Sequence, residues 1–272
     1  MRRTIVSAFT AVLAGPAMAA DIGVATPSYK IPPYLTAEQT AFNWTGNYVG
    51  VHIGGAKGDF SFSPIASPAL GGAGTSFGDT SSNGNDAFIG GFQVGRNWQF
   101  GRWVLGFEHD AQFTKLNGSI TTGSGVAAPF AEGDSFNAKV SYLSATRVKV
   151  GYAWDRVVAY VAGGLEMGRV DVTANYAPRT GIGAGAPLSF EDTRKLQFGY
   201  TVGAGAEYAF TNNVSFGVEY RYLTLNKATY NLGTVTSAAG DVSNVTADVG
   251  LKSSQVLVRM NVKFDGLALS GF

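Results

Sequence analysis

The chain has 272 residues, 37 of them glycine, with 45% hydrophobic and 14% charged positions and a formal net charge of +1. This balance excludes a disordered polyelectrolyte, is unlike an ordinary soluble enzyme, and lacks the basic excess of a nucleic-acid binder. Cysteine is absent, so neither disulfides nor thiolate chemistry is available to the fold.

Residues 1–19 read as a secretory signal, with Arg2 and Arg3 as the positive start, Ile5 to Leu13 as the apolar stretch and Ala17-Met18-Ala19 as the cleavage site. Without Arg2 and Arg3 the basic residues fall from 20 to 18 against 19 acidic ones, a net charge of −1 for an exported chain beginning at Ala20. Residues 20–43, with Pro27, Pro32 and Pro33, read as an extended periplasmic linker. No later apolar run is long enough for a transmembrane helix, so any membrane residence must use strands.

Period-two alternation begins at Trp44. In Trp44 to Gly55, Val49, Val51 and Ile53 share one face and Tyr48, Gly50, His52 and Gly54 the other. Residues 56–86, rich in Gly, Ser and Asp, read as a long loop. Ala87 to Phe100 sets Phe88, Phe92, Val94 and Trp98 against Gly91, Gln93, Gly95 and Asn97; Trp103 to Lys115 sets Leu105, Phe107, Ala111 and Phe113 against Gly106, Glu108, Asp110 and Gln112. Gly101-Arg102 suits a two-residue type II′ turn, which pairs Phe100 with Trp103 and places Gln93 opposite Asp110. After a loop at 116–137, Ala138 to Trp154 has Ser141, Ala145, Arg147, Lys149 and Gly151 on its polar face, and Asp155-Arg156 makes a second tight turn. Val157 to Gly168 sets Ala162, Gly164 and Glu166 against Val161, Leu165 and Met167.

A loop at 169–194 leads to a hairpin turning at Thr211-Asn212-Asn213. Its arms carry Tyr200, Val202 and Tyr208, then Phe216, Val218, Tyr220 and Tyr222, on one face. Thr201, Glu207, Glu219 and Arg221 take the other. A last loop at 225–251 precedes Lys252 to Phe264, where Val256, Val258, Met260 and Val262 oppose Gln255, Arg259, Asn261 and Lys263.

The expected fold class is therefore all-β: an eight-stranded antiparallel transmembrane β-barrel over 44–264, with short periplasmic turns, long extracellular loops and a tail at 265–272. An even strand number and alternating long and short connections are the habit of outer-membrane barrels. A lipocalin-like soluble barrel shares the strand count but would hide the aromatic faces that here point outward. Trp44, Trp98, Trp103 and Trp154 all fall at strand ends on the short-turn side, where an interfacial belt is expected.

The polar faces gather Glu108, Asp110, Glu166, Glu207 and Glu219 with Arg147, Lys149, Arg221, Arg259 and Lys263. Eight strands leave an interior just filled by side chains, so these charges are expected to pair into a network plugging the lumen, the alternative being an ion-selective constriction. His52 lies on the polar face and is a candidate haem ligand, though more simply a satisfied lumenal histidine. His109 falls outward at mid-depth, where an imidazole meets lipid; Arg96 lies near the rim and can snorkel. Neither histidine has an evident nucleophile beside it, so no catalytic set is expected. The glycines Gly71, Gly72, Gly74 and Gly78, and Gly181, Gly183 and Gly185, match no phosphate-binding spacing. Asn43-Trp44-Thr45 and Asn244-Val245-Thr246 fit the glycosylation pattern, which a bacterial type of barrel leaves idle.

The segments FNWTGNYVGVHIGG at 42–55, GGFQVGRNWQF at 90–100 and TVGAGAEYAFTNNVSFGVEYRY at 201–222 resemble the small outer-membrane barrels of alphaproteobacteria, the RopB-like surface antigens. That resemblance implies a non-enzymatic protein of the outer membrane that supports envelope integrity and surface contact. It implies contact with outer-membrane lipid and lipopolysaccharide, the barrel assembly machinery and host or surface ligands, and no resident cofactor. Some relatives bind haemin, which with a small porin role forms the alternative. Arg96, His109 and the tail from Asp265 depart from the family pattern, leaving Phe264 or Phe272 as the terminal assembly signal.

Overall fold

The computed structural model describes residues 42–71, 73–179, 188–237 and 239–264. The expected signal peptide, most of the linker, the C-terminal tail with Phe272, and Gly72, Gly181, Gly183 and Gly185 lie outside the described residues. Eight long strands follow one another: β1 (Gly46–Pro68), β2 (Thr80–Phe100), β3 (Trp103–Thr121), β4 (Ser135–Trp154), β5 (Val157–Tyr176), β6 (Leu188–Ala209), β7 (Val214–Thr236) and β8 (Val242–Phe264). Each pairs antiparallel with its sequence neighbour, and β1 also pairs with β8 from Asn47↔Phe264 to Pro68↔Ser243, closing the ring. A two-residue strand, Thr75–Ser76, adds to the upper end of β1.

The tight turns fall as expected. Gly101 takes φ 61°, Phe100 faces Trp103, and the same register sets Gln93 opposite Asp110. Asp155 adopts φ 52° in the second turn, and the third connection spans 210–213.

The boundaries of the long connections move. Strands of 19 to 23 residues continue well into the intervals read from sequence as loop, leaving 69–79, 122–134, 177–187 and 237–241 between them. At about 3.3 Å per residue and a tilt of about 40°, such strands rise about 50 Å, roughly twice the apolar band of an outer membrane. Half of the barrel therefore stands in water.

β3 shows how one sequence serves both solvents. Its outward residues Trp103, Leu105, Phe107 and Phe113 are exposed and apolar, and Lys115, Asn117, Ser119 and Thr121 follow on the same face. Inward, Glu108, Asp110 and Gln112 give way to Leu116 and Ile120. Alternation persists through the extension with its polarity exchanged, which is why a search for grease on the outer face ends too early. The inward residues of the upper half form one apolar core, including Phe60, Phe62, Phe136, Val172, Leu232 and Val249.

β-Bulges mark this change of solvent, with register shifts at Lys57/Asp59, Phe113/Leu116, Val140/Tyr142, Val170/Val172 and Leu225/Ala228. The bulge in β4 corrects one expectation. Pairings on both sides skip Ser141, so it is an extra residue rather than a lumenal one, and inward orientation passes from Val140 to Leu143.

Candidate functional site in the barrel lumen

Below the bulges, inward side chains from all eight strands meet. Arg147 on β4 donates to Glu108 and, at 2.6 Å, to Glu219 Oε1, and its Nε lies 3.4 Å from Asp110 Oδ2. Arg259 on β8 bonds both Glu108 and Glu219. Arg221 on β7 completes the set, 2.9 Å from Glu219 Oε1 and 3.1 Å from Asp110 Oδ1. Three guanidiniums and three carboxylates thus form one neutral web, every member at most 2% exposed.

Two tyrosines lock the web from the side. Tyr48 OH donates to Glu108 Oε2 at 2.6 Å and Tyr160 OH to Glu219 Oε2 at 2.8 Å. Glycine makes the space: a Cβ on Gly95 would sit 2.5 Å from Tyr48 Cζ, and one on Gly205 2.7 Å from the Tyr160 hydroxyl. Below, Lys149 Nζ pairs with Glu207 Oε1 at 3.2 Å and lies over the rings of Tyr48 and Tyr160 at 5.2 and 4.8 Å. Asn261 and Ser215 donate to the second Glu207 oxygen.

Eight of the ten expected network residues are joined in these pairs. Glu166 is buried beside the web without an ion pair among the described residues. Lys263 is a correction. It sits at the periplasmic rim, donates to Asn43 O at 2.7 Å and lies 4.8 Å above the Phe42 ring, because the last inward position of β8 is already level with the barrel mouth.

Trp44 is a second correction. Instead of joining the interfacial belt it is 4% exposed and packs inside the mouth with Val104, Ala153, Val158 and Ala209. Its indole nitrogen donates to Asp155 O at 3.1 Å, and Phe42 NH donates to Asp155 Oδ1 at 2.8 Å, so the last linker residues are docked. Trp103 and Trp154 do face outward, 60% and 55% exposed.

The histidines separate as expected. His52 is 2% exposed in the lumen, with Nδ1 2.6 Å from Gln93 Oε1; since Gln93 Nε2 donates to Asn261 Oδ1, Nδ1 carries the proton. Its Nε2 leans over Gly91, where a Cβ would come within 2.7 Å. His109 does point outward, and the structure accounts for it: its Nδ1 is 2.9 Å from Thr146 Oγ1 on the neighbouring strand, its register partner, with Ser144 Oγ 3.4 Å from Nε2. Both ring nitrogens are therefore satisfied laterally. Arg96 lies against Trp98 at 5.4 Å. Among the described residues, no group of three His, Asp or Glu side chains is placed to hold a metal.

Sequence parity already put Tyr48 on the inner face. Tyr160 was missed, although it shares the face of Ala162, Gly164 and Glu166; a lone tyrosine among small inward residues was the available signal.

Known outer-membrane proteins resemble this chain in sequence. The chain is 34% identical over 271 residues to the 31 kDa outer-membrane immunogenic protein of Brucella melitensis, covering 97% of this chain and all of that one. It is 33% identical to the 22 kDa outer membrane protein of Rhizobium leguminosarum, covering 67% of this chain and 75% of that one. Among solved structures, OprG of Pseudomonas aeruginosa aligns with 82% of this chain and 98% of its own at 11% identity and a TM-score of 0.45. Residues 7–258 match the family model described as outer membrane protein beta-barrel domain, and the chain belongs to that family of outer-membrane β-barrel proteins.

Proposed function

We propose that this protein is a non-enzymatic, non-conducting structural barrel that anchors a surface-exposed stalk in the outer membrane. The observation that carries the reading is the triple closure of the lumen: Trp44 and its apolar partners at the mouth, the neutral ion-pair web above them, and the apolar core inside the upper half. An aqueous path would have to cross all three, and charges so enclosed serve packing rather than conduction. In planar bilayers the purified protein is expected to give no steady open-channel current; a reproducible unitary conductance would establish the small-porin alternative instead.

The outer surface supports the lipid and lipopolysaccharide partnership. Where the exterior turns polar, Lys57, Lys115, Lys139, Arg169, Lys227 and Lys252 face outward from six strands, at or near the bulged register positions. Lys57, Lys115, Lys139 and Lys252 make no ion pair among the described residues. A basic girdle just beyond an aromatic band lies where outer-leaflet phosphates are found. The stalk above it carries the connections that would meet surface ligands.

A further inference from the structure

Four buried side chains surround the Asp110–Arg221 pair without belonging to the web. Gln112 follows Asp110 at the next inward position of β3, and Gln255 is the register partner of Arg221. Glu166 shares a register row with Asp110 through Ala145, and lies within electrostatic reach of Arg221, Asp110 and Arg147. His52 directs Nε2 over Gly91, itself the register partner of Gln112. Their exposures are 0% for Gln112, 1% for Gln255 and Glu166, and 2% for His52. Yet the amide atoms of Gln112 and Gln255 and His52 Nε2 have no hydrogen-bond partner, and the one hydroxyl beside the Glu166 carboxylate, that of Thr201, donates to Tyr222 O at 3.2 Å. Apolar Ile89, Leu143, Leu223 and Leu257, all fully buried, occupy neighbouring inward positions.

Charge singles out the same place. Among the described residues, the lumen below the bulges holds four bases, Arg147, Lys149, Arg221 and Arg259, each ion-paired, against five acids, of which Glu166 is the one without an ion pair. A lone buried carboxylate is costly, and so are orphaned amide oxygens. A proton on Glu166 would cancel the charge and supply one donor beside the N–H groups of Gln112 and Gln255, but it would not give the carboxylate and the two amide oxygens a common partner. A hard cation answers several of these oxygens at once, and one unit of excess negative charge selects a monovalent ion.

We propose that Glu166, Gln112 and Gln255 form a binding site for a single alkali cation of the sodium or potassium class inside the lumen, with His52 and water completing its shell. The site rests on the closed-lumen reading, and conductance measured on the same preparation separates failure of the two.

The test uses the full chain refolded in detergent with potassium, sodium or choline chloride at equal ionic strength. The unfolding midpoint is expected to rise with potassium or sodium concentration and not with choline, because an ion that binds only the folded state stabilises it by mass action. Glu166→Gln should abolish that dependence, while Glu191→Gln, an exposed change, should keep it. Should Glu166→Gln not fold, crystals of the unaltered protein soaked in thallium(I) decide, the expected result being an anomalous peak against the Glu166 carboxylate. Equal midpoints in all three salts, no such peak, or an infrared carboxylic-acid band lost in Glu166→Gln would overturn the site and leave a proton on Glu166.

Discussion

Arg259 and Glu108, 151 positions apart in the chain, bond directly at the centre of the lumen. One lies on the last strand and the other on the third, so the contact exists only once the ring has closed. Ion pairs of this kind are costly to break singly, because the surviving partner stays buried and uncompensated.

Removing one member of the web should therefore destabilise the barrel heavily. Arg147→Ala and Glu219→Ala are each expected to cost about 3–5 kcal/mol, read from urea unfolding in detergent. Asp79→Ala breaks only an exposed contact with Lys227 and Ser63, and its midpoint should stay near that of the unaltered protein. Equal midpoints for the three variants would refute an energetic role for the web.

The placement of Trp44 can be read by fluorescence. In single-tryptophan variants, brominated lipid should quench Trp103 and Trp154, which face the bilayer, and leave Trp44 bright. Trp44→Ala, which empties a packed position, should cost about 3–5 kcal/mol. Quenching of Trp44 equal to that of Trp103 would return it to the interfacial belt.

His109 on the lipid face gives a third expectation. Thr146→Val removes the partner of Nδ1 and should destabilise by about 1–3 kcal/mol, whereas His109→Phe, which removes the polar ring altogether, should cost less. If His109→Phe proved the worse of the two, the lateral hydrogen bond would not be what makes this position tolerable.

Proteolysis of intact cells tests the length of the strands. Proteinase K is expected to cut within the connections at 69–79 and 122–134 and to spare 57–66 and 135–142, which lie within the hydrogen-bonded wall of the barrel. Early cleavage near Phe60 or Lys139 would mean that the extension above the membrane is loop after all.

Replacing Lys57, Lys115, Lys139 and Lys252 together by Gln should lower the lipopolysaccharide retained on purification several-fold without changing the unfolding midpoint in detergent. Unchanged retention would remove the basic girdle as a glycolipid contact.

Much of this molecule was legible in its residues. The lipid-facing half announces itself because hydrocarbon demands apolar groups outside while the lumen takes Glu108, Arg147 and Glu219, a polarity that alternation alone reveals. Turn chemistry at Gly101-Arg102 set the register down to Gln93 opposite Asp110. Three things were decided only by the closed ring. The strands continue above the membrane because water outside and a packed interior invert the same alternation, so Phe60 and Leu232 point inward and the pattern ceases to look like a membrane strand. One unpaired residue, Ser141, reverses the parity of β4, and an insertion of one is invisible to composition. Finally, which charges meet, and that Glu166 and Lys263 stay apart from the web, depends on the stagger between strands far apart in sequence, a quantity that no single strand contains.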